Sequence, residues 1–133
     1  MSRITKMIFA ALLSLSFAGC ATYQTSPEPA MMQGGVMVNS AGMTLYTFDK
    51  DVQGQASNCY DEGDSKCATN WPPMLADAGA TPEGDFTLID RKDGTKIWAY
   101  DGWPLYRWIK DTKPGDTTGD GVGGVWHTAV ESD

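Results

Sequence analysis

Chemistry in this chain has little to draw on: 1 His and 3 Cys among 133 residues. Cys59 and Cys67 stand eight positions apart across Tyr60-Asp61-Glu62-Gly63-Asp64-Ser65-Lys66. In an oxidising compartment such a pair forms a structural disulfide. The rival reading is a redox-active pair, but those pairs are usually two residues apart at a helix N-terminus, and this loop is polar. Asp116-Thr117-Thr118-Gly119-Asp120-Gly121 resembles the opening of a calcium loop, with acids at its first and fifth places, yet His127 occupies the twelfth place instead of a bidentate Glu. His127 could also join Met31, Met32, Met37, Met43 or Met74 in a soft copper site, although Met on strands commonly pads a core. Calcium or a redox metal at Asp116, Asp120 and His127 is thus one reading and simple solvation of those acids the other; no cofactor is required. Gly119 to Gly124 fits Gly-x-Gly-x-x-Gly, but no strand precedes it and no helix follows, so a surface turn is expected. No nucleophile has a matched base, which argues against enzymatic turnover.

The most informative pattern is an internal repeat. At an offset of 60, Gly42 to Asp51 aligns with Gly102 to Asp111, and Gly, Leu, Tyr, an aromatic, Lys and Asp coincide. Two copies of one supersecondary unit follow. Tyr46, Phe48 and Asp51 in the first copy match Tyr106, Trp108 and Asp111 in the second. Residues two apart on a strand share a face, so each Tyr and its aromatic neighbour are expected to fill a core between two hairpins. The two Asp are expected to cap turns by accepting backbone N–H groups, with a shared carboxylate site as the sharper alternative.

The elements that position these residues read as strands. Turn signals at Asn39-Ser40-Ala41-Gly42, Asp93-Gly94 and Asp101-Gly102 separate short apolar segments at 36–39, 43–49, 86–90, 95–100 and 103–109. Pro114-Gly115 suits the centre of a type II turn. No segment shows a convincing helical period. The expected fold is all-β, a small antiparallel domain built from two related hairpin-containing repeats, at about 36–74 and 95–129 within a single domain of 36–133.

The N-terminus carries an address. Arg3 and Lys6 precede an apolar run from Met7 to Phe17 and then Ala18-Gly19-Cys20. This is an export signal, too short for a permanent membrane span. Phe17-Ala18-Gly19-Cys20 resembles the lipobox of bacterial lipoproteins, with Phe17 where Leu is usual. The resemblance implies a signal peptide at 1–19, acylation (palmitate) of Cys20, attachment to the cell envelope through lipid, and the outer membrane in a Gram-negative source because Ala21 follows the Cys. Residues 20–35, with Ser26-Pro27-Glu28-Pro29, read as a flexible tether. The whole chain carries a net charge of -7, and loss of Arg3 and Lys6 makes the mature body more acidic still. Such a surface disfavours nucleic acid.

The motif Tyr-x-(Phe/Trp/Tyr)-x-x-Asp, present at Tyr46 to Asp51 and Tyr106 to Asp111, resembles the secreted-repeat family of predicted bacterial lipoproteins. Cys67-Ala68-Thr69-Asn70-Trp71-Pro72-Pro73 and Gly121-Val122-Gly123-Gly124-Val125-Trp126-His127 extend the likeness over about 36–129. The resemblance implies an envelope location and a repeat architecture without a reaction, an extracytoplasmic redox role being only a suggestion attached to such proteins. The expected role is therefore binding or structural, towards an unknown envelope protein or ligand.

Overall fold

The computed structural model describes residues 29–133, so the expected signal peptide at 1–19 and Cys20 lie outside the described residues. Seven short strands carry the body: β1 (Ala30–Gln33), β2 (Val36–Asn39), β3 (Tyr46–Phe48), β4 (Phe86–Asp90), β5 (Lys96–Tyr100), β6 (Trp103–Pro104) and β7 (Trp126–Thr128). One helical turn, α1 (Cys67–Asn70), and a 3-10 turn at Val122–Gly124 complete it. All sheet pairing is antiparallel: β1 with β2, β3 with β7, and β4 with β5 with β6. The all-β expectation holds, and the two copies are built alike.

The copies begin one strand earlier than positions 36 and 95. Ala30–Gln33 pairs with Val36–Asn39, inside the stretch that reads as tether, just as Phe86–Asp90 pairs with Lys96–Tyr100. The reason is Gly34-Gly35, whose φ values of 61° and 85° make a two-residue turn with the twist a tight hairpin needs.

Two strands expected to run long, 43–49 and 103–109, are short as ladders because each changes partner along its length. Leu45 N–H donates to Met37 O, Tyr46 exchanges backbone bonds with Tyr106, and Phe48 lies opposite Trp126. In the second copy Leu105 N–H donates to Trp98 O, Tyr106 bridges Tyr46, and Ile109 N–H donates to Asn70 O. Asp49 N–H donates to Val125 O in the way Ile109 does to Asn70. Each Tyr strand therefore packs first on its own hairpin, then on its twin, then on the Trp segment of the other copy. Residues related by the repeat make related contacts, which is an approximate two-fold arrangement within one chain.

Two apolar clusters result. One is largely aliphatic and includes Met37, Leu45, Phe86, Leu105 and Ala129. The other is aromatic and includes Tyr46, Phe48, Trp71, Ile97, Tyr106 and Trp126. In the aromatic cluster four rings stack in the order Phe48, Trp126, Trp71, Trp108, with centroid spacings of 4.2, 3.8 and 4.0 Å. The rings alternate between the copies. Tyr46 meets Trp71 edge-on at 5.4 Å and Tyr106 meets Trp126 edge-on at 5.2 Å. Edge-to-face contacts of this kind add roughly 0.5–1.5 kcal/mol beyond burial.

The same-face expectation for Tyr46 with Phe48 and for Tyr106 with Trp108 is met by the packing, with one difference. Phe48 is 7% exposed, whereas Trp108 lies half-buried at the end of the column. Alanine at Trp71 or Trp126, the middle of the column, is expected to lower unfolding free energy by about 3–5 kcal/mol, and alanine at Trp108 by less. Urea unfolding of the three variants measures the order.

Candidate functional site

The sites that chemistry suggests sit where the two copies meet. Tyr46 Oη donates to Asp111 Oδ2 at 2.6 Å, and Tyr106 Oη donates to Asp51 Oδ2 at 2.7 Å. Each motif tyrosine thus bonds the aspartate of the other copy. The second oxygen of each carboxylate holds its own loop: Asp51 Oδ1 accepts from Asn58 N at 2.7 Å, and Asp111 Oδ1 accepts from Thr118 N at 3.0 Å. Both contacts span seven residues. The expected capping role of Asp51 and Asp111 is present, and it is half of their work. The structure does not place the two carboxylates in one shared site; it gives each to the opposite phenol.

The copies differ in what backs each phenol. Behind Tyr46, Gly119 N–H donates directly to the phenol oxygen at 3.2 Å. A Cβ at Gly119 would lie 2.9 Å from ring atoms of Trp108, Trp71 and Tyr46, so glycine is required for the close approach. Behind Tyr106 the corresponding residue is Cys59, and Ser57 intervenes: Cys59 N–H donates to Ser57 Oγ, which bonds the Tyr106 hydroxyl. Cys59 is fully buried and bridged to Cys67, with the Cα atoms 5.2 Å apart. Closing a loop of this size contributes about 2.5 kcal/mol in the chain-entropy account.

Arg91, 5% exposed, adds a buried cation on this side only. Its Nη1 donates to Ser57 Oγ at 3.0 Å and its Nη2 to Cys59 O at 3.2 Å, while Asp93 Oδ2 lies 3.8 Å from Nε. Burial pushes the Asp51 carboxyl above its usual range, and the Asn58 N–H, the Tyr106 hydroxyl and the Arg91 charge pull it back. Arg91 and Ser57 carry no repeat signature, which is why the sequence did not single them out.

The metal candidates are not gathered. Asp116 Oδ2 accepts from Thr112 N, Thr112 Oγ1 and Lys113 N, closing the turn around Pro114-Gly115, where Gly115 has φ 90°. Asp120 Oδ1 accepts from Thr128 N. His127 pairs instead with Asp49, Nε2 to Oδ2 at 2.7 Å. Among the described residues no group of three or more His, Cys, Asp or Glu side chains is placed to hold a metal ion.

One cleft open to a ligand, of about 320 Å³, lies over β7 and the chain that follows it. Tyr100, Trp103, His127, Asp49, Asp101 and Glu131 line it. Of these, the sequence put His127 among the metal candidates. Tyr100, Asp101 and Trp103 belong to the tight turn between β5 and β6, where Asp101 has φ 48°, and a turn signal hides the fact that its side chains converge with the C-terminal segment.

Both buried phenols hold their protons well above the usual tyrosine range. For Tyr46 the causes are burial and then the bond to Asp111; for Tyr106 they are burial and then the Asp51 charge. In the unfolded chain they ionise near pH 10. A raised folded pKa means that their stabilisation is complete below that pH and is lost as pH rises through it, by about 1.4 kcal/mol per pH unit for each phenol. Urea unfolding between about pH 8 and 11 is expected to show this decline, and Tyr46→Phe or Tyr106→Phe to reduce its slope while costing about 1–3 kcal/mol at neutral pH.

Comparison with known proteins agrees with the two-copy geometry. No curated protein and no solved structure gives a significant match. A family described as a secreted repeat of unknown function matches twice, over residues 31–74 and 87–130. Each match starts in the first strand of a hairpin and ends just beyond the segment that follows its Trp, so the family unit and the structural copy coincide. With two matches that together span most of the chain, the protein belongs to this family of secreted repeats of unknown function.

Proposed function

We propose that this is a lipid-anchored protein of the cell envelope whose work is binding, on a scaffold locked by the exchanged tyrosines and aspartates. The observation that carries this reading is the placement of the motif groups. Tyr46, Tyr106, Asp51 and Asp111 are buried and bonded to one another, so they serve the fold and offer nothing to a substrate. Aromatic and polar groups converge at the surface in the cleft beside Tyr100 and Trp103. Aromatic rings with a few placed polar groups in a concavity are the usual make-up of a binding site.

Anchoring rests on the signal-like run ending at Ala18-Gly19-Cys20. Intact mass of protein extracted from membranes is expected to lack residues 1–19 and to carry acyl chains on Cys20. Cys20→Ser should leave the membrane fraction. An unmodified mass with another starting residue, or unchanged partitioning of the variant, sinks the anchor. A photo-cross-linking residue at Trp103 should trap an envelope component that the same residue at exposed Val52 does not; equal trapping at both removes the cleft from the reading.

A second reading, an extracytoplasmic redox accessory, is favoured by one observation. Three stacked Trp rings run alongside two phenols, each bonded to a carboxylate able to accept its proton. Protein purified from the envelope with stoichiometric metal or visible colour would support that reading, and a colourless, metal-free preparation would count against it.

A further inference from the structure

A second cleft, of about 190 Å³, adjoins the first, and the two share Tyr100 and Glu131. Together they make one groove running from β1 to the C-terminal segment. Its walls hold Glu83 and Asp85 at one end, Glu131 in the middle, and Asp49 and Asp101 at the other, with no Lys or Arg. Among the described residues only Asp49 of these five has an ion-pair partner, His127. A concave wall of one sign between apolar surfaces focuses the potential towards an opposite charge. Apolar groups lie between the carboxylates, since Met31 and Val130 are each 55% exposed and Phe86 and Trp103 also face the groove.

The backbone at the β1 end is open as well. β1 pairs with β2 along one edge, and among the described residues no strand pairs along the other. An unpaired edge offers N–H and C=O groups to an incoming extended chain. A small amine or a single cation would meet one carboxylate and leave the rest of the groove unused. A chain with cations spaced by apolar side chains would meet the carboxylates, the apolar patches and the edge at once.

We propose that the groove binds an extended basic peptide segment of an envelope partner, its Lys or Arg side chains spaced by apolar ones, added along the free edge of β1. The proposal rests on the binding reading above and names the ligand class for that cleft. Met31 and Met32, flexible and exposed, suit an adaptable peptide surface.

The test uses the full mature protein in detergent and a labelled decapeptide of alternating Lys and Val. Anisotropy should show binding that weakens as salt rises, with little or no binding of the matching Glu-Val peptide. Asp101→Asn combined with Glu131→Gln is expected to weaken binding about tenfold and to flatten the salt dependence. Asn tolerates the left-handed backbone at 101, so the melting temperature should stay unchanged, which separates lost charge from lost fold. Backbone N-methylation of the peptide should weaken binding if it adds as a strand; no effect removes β1 from the proposal. Equal binding of the Lys and Glu peptides, or indifference of the double variant, overturns the basic-peptide assignment. If a neutral oligosaccharide, and not the Lys peptide, shifts the amide signals of residues 128–132, the cleft binds but the ligand class is wrong. If neither probe shifts them, the binding reading falls with the proposal.

Discussion

Two phenols in an apolar interior each need an acceptor, and each acceptor comes from the other half of the chain. Tyr46 with Asp111 and Tyr106 with Asp51 are charge-assisted hydrogen bonds in buried surroundings, where such a bond is stronger than in water and an unmade one is costly. Neither copy can meet this demand within itself. The consequence reaches outward through the same residues. The Asp carboxylates fix the loops at Asn58 and Thr118, and the phenol rings set the edges against which Trp71 and Trp126 stack. Sheets of two or three short strands would be marginal alone, and the exchange joins them into one body.

The all-β class, most turns and the repeat were legible because they are local or periodic. Asp93-Gly94, Asn39 to Gly42 and Asp101-Gly102 announced turns by residue type, and the offset of 60 announced the copies. Which partner each Tyr and Asp would choose was not legible. A repeat specifies equivalent positions, and equivalence is satisfied equally by bonds within a copy and bonds between copies. Arg91 and Ser57 were hidden for the opposite reason: they occur in one copy only and mark where the symmetry fails. The start at β1 was missed because Gly34-Gly35 was read as part of a tether, although the same pair supplies a hairpin turn.

Buried carboxylates also divide the molecule electrically. Asp51 faces Arg91, while Asp111 is held by Thr118 N, Thr118 Oγ1 and the Tyr46 hydroxyl without a cation among its hydrogen-bond partners. Hydrogen bonds alone thus hold one charge and a guanidinium helps hold the other. The same acidic excess recurs at the surface around Tyr100, where it is exposed and free to attract. The interior uses carboxylates for cohesion and the groove presents them to solvent, a separation that leaves the surface charges free to vary without touching the lock.

Gly119 and Cys59 occupy matching places, yet their demands are opposite. At Gly119 three aromatic rings leave no room for a side chain. At Cys59 a side chain is accommodated within the ring cluster, where it bridges to Cys67, and Ser57 links the backbone to the phenol. The halves are therefore a matched pair rather than interchangeable modules. A tandem of two first halves would put a cysteine under the ring column and lose the buried guanidinium, and a tandem of two second halves would lose the bridge and Ser57. The differences at Cys59, Ser57 and Arg91 make each half dependent on a partner unlike itself.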